Sequence, residues 1–165
     1  MNRCLWIALR FCLCAWLGAA SLFVVAGVLE VMSPEIDQPT KNLLVTLRFP
    51  PYYLFGFSLV GIGTLSSILL RCSKQNAACH RRLSIVAAFG VVTLLIMTYD
   101  YLQIYLPLEA MMLREDGIFP SEFHGLHEWS KNINATSATT CLIAALLSVV
   151  EPRRTEASPS GAATE

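Results

Sequence analysis

Charge is scarce in this chain, and its distribution says more than its amount. Only 24 of 165 residues are Asp, Glu, Lys or Arg, and Phe11–Leu29, Phe49–Leu70, Leu83–Tyr99 and Ile133–Val150 contain none. A water-soluble helical domain intersperses charges along each helix to build a polar face. This chain segregates them, which excludes a soluble enzyme, a nucleic-acid-binding domain and a disordered linker. There is no Cys-x-x-Cys, and Cys72 and Cys79-His80 have no second pair at zinc spacing, so the six cysteines read as small apolar fillers. Metalloprotease, serine-hydrolase and kinase motifs are missing. Gly56, Gly61 and Gly63 lack the Lys-Ser/Thr of a phosphate loop and, with Ser66 and Ser67, read as a close-packing surface. No cofactor, metal or enzymatic activity is expected, and no internal repeat is visible.

What is present are four apolar runs of 19, 22, 17 and 18 residues. At 1.5 Å rise per residue, each matches a hydrocarbon core of about 30 Å. The predicted fold is all-α, a polytopic membrane protein with four transmembrane helices in an antiparallel bundle. Spans are expected at about 11–30, 50–70, 83–106 and 133–150, within a membrane domain of 11–150. Residues 1–10 form a cytoplasmic N-terminus, and 151–165, with Pro152, Pro159 and few apolar side chains, a disordered cytoplasmic tail. Leu43, Leu44 and Leu47 predict a short interfacial helix, after which Pro50 and Pro51 occupy the first turn of the second span. Pro107 predicts a kink in a third helix that continues over 107–115. Ser121 is placed to cap a fourth helix, whose 122–132 segment carries the stripe Phe123, Leu126, Trp129. The third and fourth helices therefore extend beyond the outer face.

Lys and Arg set the orientation. Arg3, Arg10, Arg71, Lys74, Arg81, Arg82, Arg153 and Arg154 fall on one side of a four-span chain, against Lys41, Arg48, Arg114 and Lys131 on the other. Both termini are thus expected in the cytoplasm of a multi-pass cell-membrane protein. The neutral total then splits into a cytoplasmic +5 and an outer −5. Gly18-Ala19-Ala20 resembles a signal-peptide cleavage site, but the apolar run continues to Leu29, so an uncleaved anchor is the expectation.

The pattern Phe123-x-x-Leu126-His127-x-x-Ser130-x-x-x-Asn134, leading into a Ser/Thr/Ala-rich last span, resembles the transmembrane-protein-205-like family. Trp16-Leu17-Gly18 with Phe23, Phe49-Pro50-x-Tyr52-Tyr53, and Leu106-Pro107 with Arg114 resemble that family's first three helices. The resemblance spans about residues 11–150 and implies a four-helix membrane domain, with no activity attached to it. The chain departs from the family in Glu128-Trp129, where a small residue is common.

His127, Ser130 and Asn134 share one face of the fourth helix, and Glu30 and Asp100 are the acids nearest the apolar runs. With Arg114 these six form a candidate polar cluster at the outer mouth. It serves either as a structural collar or as a proton path, since histidine titrates near neutral pH. Arg71, Lys74, Arg81 and Arg82 set topology and can hold lipid headgroups. Partners are the lipid bilayer and a second copy or another membrane protein; nucleic acid is not expected. Three functions are open: an interaction or accessory module, which is favoured, a small transporter or proton/metal permease, and a membrane enzyme.

Overall fold

The computed structural model describes residues 2–73, 79–113 and 120–150. They form α1 (Asn2–Met32), α2 (Gln38–Cys72), α3 (His80–Asp100), a π-helical turn (Tyr101–Tyr105), α4 (Leu106–Met112) and α5 (Glu122–Val149). No strand occurs among the described residues. Because α3, the π turn and α4 run on from one another, four helices are long and apolar enough to cross a membrane: Asn2–Met32, Gln38–Cys72, His80–Met112 and Glu122–Val149. The chain is an all-α protein built for a bilayer.

Side-chain size sorts between inside and outside in the sense a bilayer requires. Leu22, Leu54, Leu65, Leu95 and Leu146 stand exposed, whereas Ala20, Gly63, Thr64, Ser67, Ala87, Thr93, Ala144 and Ala145 are buried. In water so much exposed leucine would drive aggregation. In lipid it costs nothing, and small residues inside allow the close backbone approach that gives dispersion and interhelical hydrogen bonds. Gly56 shows why: a Cβ there would stand 2.5 Å from both Trp16 and Met97. Ser67 donates to the Leu83 carbonyl at 2.9 Å, and the Thr93 and Thr140 hydroxyls meet at 2.9 Å, tying α2 to α3 and α3 to α5.

Three expectations change. α1 begins at Asn2, so the helix that carries the first expected span also takes in the N-terminal segment ahead of it. Leu9, Leu13, Trp16 and Ala20 make a buried stripe at helical spacing, so core packing recruits the charged first turns. The separate interfacial helix does not exist: α2 runs unbroken through Pro50 and Pro51. The prolines deprive Thr46 and Leu47 of their usual donors. Packing offsets this, with Phe49 against Phe23 and Tyr105 and Tyr52 stacked on Phe23 at 4.0 Å. The third correction concerns Pro107, whose effect falls one turn earlier than a simple kink. Its missing N–H and its ring exclude an ordinary bond to the Gln103 carbonyl. The helix answers with the π turn, in which the Leu106 N–H reaches back to the Tyr101 carbonyl. Ser121 does stand at the N-cap position of α5, but its side chain makes no cap bond.

Candidate functional site

The polar centre of the bundle is Asp100, the last residue of α3, with 1% of its surface exposed. Its position follows from the sequence around it, since the π turn that accommodates Pro107 starts at the next residue. Three donors reach the carboxyl from two other helices. The Tyr53 hydroxyl of α2 donates to Oδ2 at 2.5 Å, the Asn134 Nδ2 of α5 donates to the same oxygen at 3.0 Å, and the Ser130 hydroxyl donates to Oδ1 at 3.3 Å. Asn134 also donates to the Ser130 carbonyl at 3.1 Å, which orients its amide. The spacing of Ser130 and Asn134, four residues apart, puts both on the face of α5 that meets α3.

Tyr53 is itself held by rings. It lies 5.0 Å from Tyr101, 5.4 Å from Tyr105 and 5.5 Å from Tyr52, and Tyr101 stacks on Tyr105 at 5.6 Å. Tyr101 and Tyr105 are the two ends of the π turn. The irregular turn therefore helps build the wall that fixes the strongest donor. At its far side Tyr105 donates to Glu109 at 2.7 Å. A buried carboxyl with no cation on it among the described residues is tolerated because hydrogen bonds replace the water it has lost.

The six-residue outer cluster does not assemble as a unit. Asp100, Ser130 and Asn134 come together. Glu30 instead pairs with Arg48 at 2.6 Å, and the Arg48 guanidinium lies 4.7 Å over the Phe23 ring, bracing α1 against α2. His127 is exposed and stacks on Phe123 at 6.2 Å. It lies seven residues, about 10 Å of helix rise, outside Asn134. Arg114 lies outside the described residues. The residue that sequence reasoning missed as a site residue is Tyr53, which enters there only in the pattern Phe49-Pro50-x-Tyr52-Tyr53 at the start of the second span. Its signal was that a buried tyrosine hydroxyl needs a partner.

At the opposite end Arg71 and Arg81 are exposed, Arg82 is half-buried, and Lys74 lies outside the described residues. Arg82 donates to the Val150 carbonyl, and Arg10 donates from Nε to the Ser148 carbonyl at 3.0 Å. Both guanidiniums lie over the Trp6 ring, at 5.6 and 5.2 Å. The last carbonyls of α5, which have no intrahelical donor, are thereby capped by cations on α1 and α3, the favourable sign for a helix C-terminus. Among the described residues no three His, Cys, Asp or Glu side chains converge as a metal site. Compared with known protein families, curated proteins and solved structures, the chain matches none.

Proposed function

We propose that this chain is a four-span antiparallel bundle of the cell membrane, with both termini in the cytoplasm, that acts as a non-enzymatic interaction or accessory module. The contact order supports the antiparallel arrangement: Tyr53 meets Asp100 while Ser67, fourteen residues later, meets Leu83, seventeen residues earlier. The basic helix ends support the orientation. Kinship with the transmembrane-protein-205-like family belongs to the same reading, and Ser130 and Asn134 of the motif are two of the three donors to Asp100.

The observation that carries the functional reading is the closure of Asp100. Three donors from α2 and α5 converge on it, while Glu30 and His127 are engaged elsewhere. A lock of this kind fixes three helices relative to one another. It leaves the outer part of α5, with exposed His124, His127, Glu128 and Trp129, as a rigid polar and aromatic surface for a partner. Two measurements test this. In vesicles reporting internal pH, the wild-type protein and Asp100→Asn are expected to show the same flux as protein-free vesicles. In native membranes, a photo-crosslinker at position 127 is expected to give a discrete protein adduct. Proton flux above background that Asp100→Asn abolishes would replace the module with a permease, and crosslinking to lipid alone would remove the interaction surface.

A further inference from the structure

The end of the bundle opposite Asp100 gathers basic side chains that have no carboxylate partner among the described residues. Residues 2–29, 38–99 and 129–150 contain no Asp or Glu, so along most of its described length the bundle is without an acid. The two ion pairs among the described residues, Glu30–Arg48 and Glu128–Lys131, both involve residues nearer the other end. Two hydrogen bonds and a pair of cation–π contacts gather the basic helix ends. Asn2 donates to the Ser73 hydroxyl at 3.2 Å, joining the start of α1 to the end of α2. His80 Nε2 lies 3.4 Å from the Ser73 carbonyl, joining α2 to the start of α3. The Trp6 ring lies against the guanidiniums of both Arg10 and Arg82. Arg3, beside Asn2, Arg71, two residues before Ser73, and Arg81, beside His80, therefore lie at the same end of the bundle, all exposed.

These five arginines divide into two sets with different work. Arg10 and Arg82 are spent on the α5 carbonyls and on Trp6. Arg3, Arg71 and Arg81 have no hydrogen bond or carboxylate partner among the described residues, and their guanidiniums stand where the apolar part of each helix ends. Guanidinium forks recognise phosphate oxygens by paired hydrogen bonds. Exposed apolar side chains beside them, Ile7 and Leu69 among them, suit acyl chains rather than a water-soluble anion.

We infer that the rim formed by Arg3, Arg71 and Arg81 is a binding site for the phosphate headgroup of anionic phospholipids in the cytoplasmic leaflet. The inference rests on the sidedness proposed above for its leaflet, but not for its chemistry. Each exposed arginine contributes about fivefold to the affinity, from about 1 kcal/mol per basic residue at an anionic surface.

The test uses the full chain, purified in a zwitterionic detergent, with retained lipid read by native mass spectrometry. Titrating phosphatidylglycerol against phosphatidylcholine, the wild type is expected to retain the anionic lipid at least tenfold better. The combined variant Arg3→Gln, Arg71→Gln, Arg81→Gln leaves the α5 cap untouched and is expected to lose that preference, while Lys41→Gln with Lys131→Gln at the other end keeps it. Equal retention by the triple variant and the wild type, or no preference in the wild type, overturns the site. Displacement of the lipid by millimolar inorganic phosphate would make it a free-anion site and overturn the lipid assignment. Because the measurement is blind to sidedness, impermeant maleimide labelling of the exposed Cys72 in sealed inside-out vesicles checks the leaflet separately.

Discussion

Removing the Tyr53 hydroxyl is the sharpest perturbation of the Asp100 lock, because Tyr53→Phe keeps the ring among Tyr52, Tyr101 and Tyr105 and deletes one donor. The bond it removes is short, 2.5 Å, between a hydroxyl and a carboxyl oxygen in a residue 1% exposed. Hydrogen bonds to charged groups are worth about 1.5–3 kcal/mol in soluble proteins. Interhelical bonds in membrane proteins average about 0.6 and reach about 1.7 kcal/mol. Since Oδ2 keeps the Asn134 amide at 3.0 Å, the carboxyl is not stripped, and a loss of about 1–2 kcal/mol is expected. Asp100→Ala takes the acceptor from three donors at once, of which Asn134 alone keeps another at the Ser130 carbonyl, and should cost about 2–4 kcal/mol. The double variant separates the pair from its surroundings, because once the carboxyl is gone the hydroxyl has lost its acceptor. A coupling energy of about 1 kcal/mol or more is expected from equilibrium unfolding in mixed micelles titrated with sodium dodecyl sulfate. The distances also predict a ranking: Tyr53→Phe costs most, Asn134→Ala less, and Ser130→Ala, whose bond is 3.3 Å, least. A coupling indistinguishable from zero, or Ser130→Ala exceeding Tyr53→Phe, would refute the view that this carboxyl holds α2, α3 and α5 together.

Gly56→Ala places a Cβ against buried Trp16 and Met97 and is expected to lower unfolding stability by about 1–3 kcal/mol. Gly61→Ala, whose Cβ meets nothing within 4 Å, should be neutral or raise stability by up to about 1 kcal/mol in the same assay. Glu30→Gln should cost less than about 1 kcal/mol, because both partners of its ion pair are part-exposed, whereas Arg48→Ala should cost more by also uncovering Phe23. Among the cysteines, exposed Cys4 and Cys72 should react with impermeant maleimide from the cytoplasmic side alone, while buried Cys12 and Cys141 react only after unfolding; labelling of Cys4 from outside would reverse the orientation.

The four spans were legible because lipid imposes a one-dimensional rule: a helix must be apolar over a fixed length, and a missing charge records that directly. Helix ends were less legible. The charged residues at positions 3 and 10 set residues 1–10 apart from the first span, yet one helix runs through both: Leu9 packs into the core and Arg10 is used to cap another helix. The double proline in α2 likewise marked a boundary by local propensity that ring packing from α1 and the π turn overrode. In each case the information lay in residues on a different helix, which periodicity within one segment does not contain.

The candidate site shows the same limit in a more informative form. Distance along the chain from an apolar run gives a side chain's depth, and by depth Glu30, Asp100 and Asn134 belonged together. It does not give the direction a side chain takes around the helix or the neighbour it meets. Glu30 turned to α2 and found Arg48, while Asp100 turned inward and found Tyr53, forty-seven residues away in sequence. His127 shares a face with Asn134 by helical counting, but it sits beyond the level at which α5 meets Asp100 and is exposed. What separates these fates is the π turn: it begins immediately after Asp100 and directs Tyr101 and Tyr105 onto Tyr53, so the carboxyl acquires its strongest donor from α2 rather than from the outer histidine. Pro107, read locally as a kink, thus acts at a distance of seven residues as the feature that locates the polar centre. Replacing it with alanine should let an ordinary α-turn re-form and rotate Tyr105 and α4 relative to Asp100 by about 100°, the angle of one residue. The local helix would gain a hydrogen bond, yet the bundle should lose stability, with the Tyr53–Asp100 coupling falling toward zero. If Pro107→Ala instead stabilises the protein with that coupling intact, the π turn is a consequence of the proline alone and has no part in building the lock.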